Sequence, residues 1–144
     1  MHSSILLPAF ALVVLTAIVA GALYRERFSE MRRKRLDPQS LSTSANIRQS
    51  LDNTQASDNF KNLFEMPVLF YTLCAFLAAG QVVSSFFVVG AWLYVLLRYV
   101  HSYIHLTYNR VMHRFLAYVL SMLVLFTLWA VYGIRLFIAT FQSA

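Results

Sequence analysis

The sequence predicts an all-α membrane protein, a single domain folded as a bundle of four transmembrane helices. Three observations carry this. Hydrophobic residues make up 59% of the 144-residue chain and charged residues 12%, against roughly 45–50% and about a quarter in soluble domains. Four apolar runs alternate with polar or turn-forming sequence. All six acids (Glu26, Glu30, Asp37, Asp52, Asp58 and Glu65) fall between residues 26 and 65, so the 79 residues that follow carry none. A net charge of +6 suits either nucleic acid or an anionic membrane face. With this hydrophobicity the partner is the membrane lipid, not nucleic acid.

The elements follow in order. A hydrocarbon core about 30 Å thick needs roughly 20 apolar residues of helix, and Ile5–Tyr24 supplies 20 without a charge. Ala20-Gly21-Ala22 resembles a small-residue cleavage site, but no basic segment precedes the run and it is long for a signal peptide, so it reads as the first span. Arg32–Arg35 then reads as a topology anchor at anionic lipid. Residues 37–57, rich in Ser, Asn and Gln and without periodicity, read as a loose polar loop. Met66–Ala79 and Val82–Leu97 are apolar but only 14 and 16 residues long. Gly80-Gln81 and Ser84-Ser85 punctuate them, which predicts an antiparallel helical hairpin. To cross a bilayer each has to extend into polar sequence at the same end, through 57–65 and 98–107. Leu116–Ile134 gives the fourth span, 19 residues bounded by Arg114 and Arg135. The single cysteine, Cys74, lies in an apolar run and reads as a small buried hydrophobe.

Lysine and arginine set the orientation. Residues 25–61 hold eight of them, and Arg98, Arg110 and Arg114 belong to the same side, whereas the opposite side has only Arg135. Both termini are therefore expected on the non-cytoplasmic side. The compact chain, with no visible retention signal, points to a bacterial inner membrane.

Three polar stripes gather toward one end of this bundle. In the second span Asn62 and Glu65 are three apart and share a face, and Lys61, four from Glu65, is placed to pair with it. In the third span Arg98, His101 and His105 form another stripe, with Tyr94 a turn earlier. Arg110, Arg114 and Tyr118 open the fourth, where Asn109 is a candidate N-cap. Simpler readings stand beside these. Arg98 and Arg114 also fit snorkelling interface arginines, the tyrosines fit an aromatic belt, and His101 with His105 has helical metal-pair spacing but no clear third ligand. Glu65 is harder to dismiss. It is the only acid inside a predicted span, and ionisable groups at that depth need partners.

A ligand that suits the set is glutathione, which carries two carboxylates, an ammonium and a thiol. Arginine binds carboxylates bidentately, Glu65 suits the ammonium, and a guanidinium lowers the pKa of a nearby thiol by stabilising its thiolate. The bilayer would bring a lipophilic electrophile to the same cleft.

The pattern resembles the MAPEG family, the membrane-associated proteins in eicosanoid and glutathione metabolism. The likeness covers nearly the whole chain. It rests on Asn62-x-x-Glu65 ahead of an apolar run containing Pro67, on Arg98-x-x-His101, and on Arg110-x-x-x-Arg114-x-x-x-Tyr118. The resemblance implies a homotrimer of four-helix bundles with glutathione as cosubstrate at the boundary between protomers. It implies Asn62, Glu65, Arg98, His101, Arg110 and Tyr118 as glutathione-binding residues and Arg114 as the residue that activates the thiol. The expected activity is that of a glutathione transferase or peroxidase acting on lipophilic electrophiles or lipid hydroperoxides. The alternative is a non-catalytic scaffold of the same fold whose stripes form an ion-pair network between protomers. Three positions depart from eicosanoid-forming members: Lys61 replaces an arginine, His105 replaces a tyrosine found in some, and Phe115 replaces the serine of the prostaglandin-forming type.

Overall fold

The computed structural model describes residues 2–37, 39 and 54–142. Among these, a 3-10 turn at His2–Ile5 precedes five α-helices: α1 (Leu6–Lys34), α2 (Gln55–Asn62), α3 (Met66–Ala79), α4 (Ser85–Leu106) and α5 (Val111–Gln142). Four segments are long and apolar enough to cross a bilayer: α1, the stretch Gln55–Ala79 containing α2 and α3, α4, and α5. The expected loose loop falls mostly on residues outside the described ones, and from Gln55 onward that segment is helical.

Helix α1 runs well past its apolar part. Residues 25–34 are mostly strong helix formers, and Glu30 meets Lys34 at 3.2 Å and Arg33 at 3.6 Å, pairs worth a few tenths of a kcal/mol each (~0.3) on a helix. The basic last turn also complements the helix dipole. The helix closes at Arg35, whose φ of 52° is left-handed, with the Leu36 amide donating to the Met31 carbonyl at 3.1 Å. The same closure ends α3: Gln81, with φ 54°, is the left-handed residue, and the Val82 amide donates to the Leu77 carbonyl at 3.2 Å. These are the paired bonds by which helices commonly terminate. The turn expected at Gly80-Gln81 is therefore present, although the strained backbone conformation falls on the glutamine.

The second span is not one continuous helix. Pro67 has no amide hydrogen, and in an unbroken helix its ring would collide with the carbonyl of Leu63. The chain bends through Leu63, Phe64 and Glu65, and α3 restarts with Pro67 in its first turn. Asn62 and Glu65 are thus not two positions on one helical face. The start of α2 is held from outside, where a carboxylate oxygen of Glu26 on α1 accepts from the Ala56 amide at 3.3 Å. That satisfies one of the donors a helix leaves free at its N-terminus.

Helix α4 is the centre of the bundle. It packs most extensively on α5 and also on α1 and α2. Its buried face carries Phe87, Ala91, Tyr94, Val95, Arg98, His101, Ser102 and His105. Gly90 permits the close approach to α5, since a methyl group there would stand 2.6 Å from a Leu128 side-chain carbon. Small residues serve this purpose between membrane helices. Side chain to backbone bonds fasten the other helices: the Tyr99 hydroxyl donates to the Ala11 carbonyl at 2.8 Å and the Trp129 indole to the Leu69 carbonyl at 3.2 Å. Outward, Phe10, Val89, Leu96, Phe115 and Phe141 are exposed, an apolar exterior suited to lipid or a neighbouring protein.

The core stack of Phe70 on Tyr94, centroids 4.5 Å apart, gives a stability test. Both side chains are fully buried, and the Tyr94 hydroxyl has no hydrogen-bond partner. Phe70→Ala is expected to cost about 3–5 kcal/mol in cavity and transfer terms. Tyr94→Phe removes an unsatisfied hydroxyl and is expected to change stability by less than about 1 kcal/mol. Detergent-titration unfolding in mixed micelles ranks the two, and the reverse order would contradict this packing.

Candidate functional site

The polar end of the bundle converges on Arg98. This residue is 0% exposed. Its Nη2 donates to the backbone carbonyl of Asn62 at 2.9 Å, and its guanidinium carbon stands 5.5 Å from the centroid of the Tyr118 ring. Its Nε and Nη1 have no hydrogen-bond partner. Among the described residues no carboxylate pairs with it. The bond to Asn62 ties the last residue of α2, just before the bend, to the middle of the bundle.

His101, one turn along α4, is also buried, with its ring 5.6 Å from that of Tyr118. Its Nδ1 lies 3.0 Å from the backbone carbonyl of Arg114. A carbonyl only accepts, so Nδ1 carries the proton, and the buried Nε2 has no partner in the protein. The Arg114 side chain turns back toward α4. Its Nη1 donates to Asn109 Oδ1 at 2.8 Å and to His105 Nε2 at 3.1 Å. Asn62, His101, Arg114 and Tyr118 line one pocket of about 210 Å³, completed by Val111 and Phe115. The pocket lies on the first two turns of α5, where a helix favours negative charge.

Five of the seven expected residues therefore come together: Asn62, Arg98, His101, Arg114 and Tyr118. The other two do not reach this pocket within one chain. Glu65 is exposed at the bend that Pro67 imposes, and it acts on the Arg98 cation only from a distance. Among the described residues it forms no ion pair, contrary to the expectation of a cationic partner in its own span. Arg110 is exposed and occupies the N-terminal boundary of α5, its carbonyl accepting from the Arg114 amide at 3.1 Å. Lys61 faces Asp58 at 3.9 Å rather than Glu65, with both side chains about half exposed. Asn109 does not cap α5. Its backbone is left-handed, with φ 45°, and its side chain serves Arg114.

The sequence pattern overlooked Asn59 and Ser102. Both are buried, and the Ser102 hydroxyl donates to Asn59 Oδ1 at 3.1 Å. Their positions carry the signal, since Asn59 precedes Asn62 by one turn and Ser102 follows His101. His101 and His105 have ring centroids 5.8 Å apart. Among the described residues no group of three His, Cys, Asp or Glu side chains forms around them.

The MAPEG family model matches residues 5–134. The chain belongs to the MAPEG family. It matches no curated protein and no solved structure. Family membership together with the four apolar helices makes this an integral, multi-pass membrane protein of all-helical fold. The MAPEG family includes glutathione-dependent transferases and peroxidases as well as non-catalytic members.

Arg98 gives this MAPEG protein a measurable internal tie. Arg98→Met removes a hydrogen bond to a charged group, a loss of about 1.5–3 kcal/mol, from the one contact of this kind between α4 and the end of α2 described above. Amide exchange at residues 61–65 is expected to accelerate by roughly 10- to 100-fold, while exchange in the middle of α5 changes little. Equal acceleration in both regions would show that Arg98 supports the whole fold rather than the bend.

Proposed function

We propose that this MAPEG protein binds glutathione, or a closely related thiol, and conjugates it through its sulfur to lipophilic electrophiles or uses it to reduce lipid hydroperoxides. The observation that carries the reading is a pocket lined by Asn62, His101, Arg114 and Tyr118, with the buried Arg98 against the Asn62 carbonyl and the Tyr118 ring, and with no carboxylate paired to either arginine among the described residues. Uncompensated buried cations are costly unless a partner arrives, and a ligand with carboxylate groups is such a partner. The unpaired Nε and Nη1 of Arg98 fit this test, because they are buried donors with nothing in the protein to satisfy them.

The size of the pocket supports an oligomeric site. At about 210 Å³ it is smaller than the roughly 300–1,000 Å³ of ordinary small-molecule sites, and glutathione would extend beyond it. A neighbouring protomer would supply the missing wall, with the homotrimer as the assembly. Exposed Glu65 and Arg110 would then meet ligand at that boundary, Glu65 holding the ammonium. Asn62 and Tyr118 would hold peptide groups, while Arg98 and His101 line the inner end.

In this arrangement Arg114 is the catalytic residue. Its guanidinium, at the positive end of α5, would stabilise the thiolate left when the thiol proton departs to water. The sulfur lone pair would then form a bond to an electrophilic carbon, and the displaced electrons would leave with the departing group or take up a proton. The apolar side chains of Val111 and Phe115 would present the lipophilic partner. On the same reading the arginine-rich end of the bundle faces the cytoplasm, with both termini on the other side.

An inter-protomer ion-pair network is the competing role. In nanodiscs, wild-type protein is expected to show saturable heat on titration with glutathione and to conjugate an apolar electrophile. Arg114→Ala is expected to lower turnover by about 100-fold or more, the scale for removing one preorganised charge-stabilising donor, with helix content unchanged. Unchanged turnover would remove the proposed role of Arg114, and the absence of saturable heat in wild type would favour the structural network.

A further inference from the structure

We propose that His105, in its neutral form, and Asn109 together latch the Arg114 guanidinium, and that His105 makes the latch sensitive to pH. The proposal rests on the reading of Arg114 given above. His105 is a positioning residue, acting through Arg114 and not lining the pocket.

The argument begins with hydrogens. Arginine nitrogens are donors only. Nη1 of Arg114 has two hydrogens, and two acceptors meet it, Asn109 Oδ1 at 2.8 Å and His105 Nε2 at 3.1 Å. Both hydrogens of Nη1 are thus used within the protein, leaving Nη2 and Nε as donors for a ligand. His105 Nε2 accepts only while it is unprotonated. A protonated ring would turn that nitrogen into a donor and set two cations in contact. His101 fixes the other end of the same residue, since its Nδ1 donates to the Arg114 carbonyl at 3.0 Å. Two histidines one turn apart on α4 therefore hold residue 114 by backbone and side chain, both in the tautomer that carries its proton on Nδ1.

Each part of the latch has a structural origin. His105 is buried on α4, so its ring does not swing freely into solvent. Asn109 lies in the short connection to α5 with φ 45°, a conformation asparagine adopts more readily than most residues, and that bend aims its amide oxygen at Arg114. The groups acting on the His105 ring come from three helices: Arg114 from α5, Asp58 from α2, and Arg98 with His101 from α4 itself. Three of these are cationic or can become so, and the one acid, Asp58, already accepts from Thr54 at 3.1 Å. Raising the proton concentration therefore opens the latch. His105 gains a charge beside Arg114, the bond to Nη1 is lost, and Asn109 alone holds the guanidinium.

The first test needs no thiol. Nitrogen-15 spectra of histidine-labelled protein in lipid nanodiscs are expected to show His105 with Nε2 unprotonated and His101 with Nδ1 protonated at neutral pH. Arg114→Ala should shift the His105 signal. A proton on His105 Nε2 at neutral pH would overturn the latch whatever the turnover. The second test is the pH profile of thiol conjugation. Wild-type kcat should fall on the acid side more steeply than one proton allows, because both thiol and latch titrate. His105→Gln keeps an acceptor oxygen that does not titrate, so it should retain most of the neutral-pH rate and fall with single-proton slope. His105→Ala should lose about tenfold in kcat, as for loss of a hydrogen bond to a charged group, with the KM for glutathione nearly unchanged. A His105→Gln profile identical to wild type would overturn the proposal. If the spectra show the expected tautomers but wild type has no thiol activity, the functional reading fails and the latch stands.

Discussion

The burial of one guanidinium governs this structure. Arg98 is wholly covered, in a bundle whose exterior is apolar, and no carboxylate contacts it among the described residues. Removing such a charge from water costs several kcal/mol even after relaxation (roughly 3–5 when a partner is lost). The protein offsets this with what lies within reach: the Asn62 carbonyl, the face of the Tyr118 ring, and the more distant charge of Glu65. Each of these comes from a different place, the end of α2, the second turn of α5 and the bend between α2 and α3. The bond to Asn62 and the contact with the Tyr118 ring thus hold the end of α2 and the start of α5 against α4, and these elements line the pocket. Behind the Asn62 and Tyr118 walls of the pocket the guanidinium is still incompletely satisfied. Two nitrogens of Arg98 remain unpaired, so an anion bound there would relieve a cost already present in the fold and would stabilise the folded state by mass action.

Much of this was legible in the sequence, for reasons that differ by element. The spans are plain because hydropathy and length respond directly to a bilayer, and α3 has the bounds its apolar run dictates. The stripe of Arg98, His101 and His105 was legible because an unbroken helix repeats every 3.6 residues. The stripe of Asn62 and Glu65 was not, because its periodicity assumed a helix that Pro67 interrupts. The cue was present, since a proline four residues after Leu63 is incompatible with that carbonyl staying in the helix. The polar extension of α1 was missed for another reason. Residues 25–34 hold helix through propensity and ion pairs, to which an oil-based criterion is blind.

What the sequence could not convey was direction. Arg114 has the spacing of a stripe residue, but its side chain turns back toward α4, to groups five and nine positions earlier in the chain. Asn109 looked like a helix cap because asparagine commonly accepts from the first-turn amides. With a left-handed backbone it accepts from a side chain instead. Neither outcome follows from residue types alone, because both depend on how α4 hands the chain to α5.

The departures from eicosanoid-forming members acquire different weights once they are located. Lys61 is half exposed beside Asp58 and takes no part in the pocket wall, so the loss of a bidentate arginine there bears on any boundary with a neighbour, not on the inner site. Phe115 does line the pocket. With Val111 it makes the outer wall of an otherwise polar space apolar, and a side chain without a hydroxyl can neither orient a polar oxygen of the acceptor nor reject an acceptor that lacks one. Discrimination among apolar partners by such a surface amounts to only about 1–3 kcal/mol per methylene. On the proposed reading this site therefore has a well-defined thiol end and a permissive acceptor end. That suits a protein that handles a range of lipophilic compounds better than one dedicated to a single lipid product.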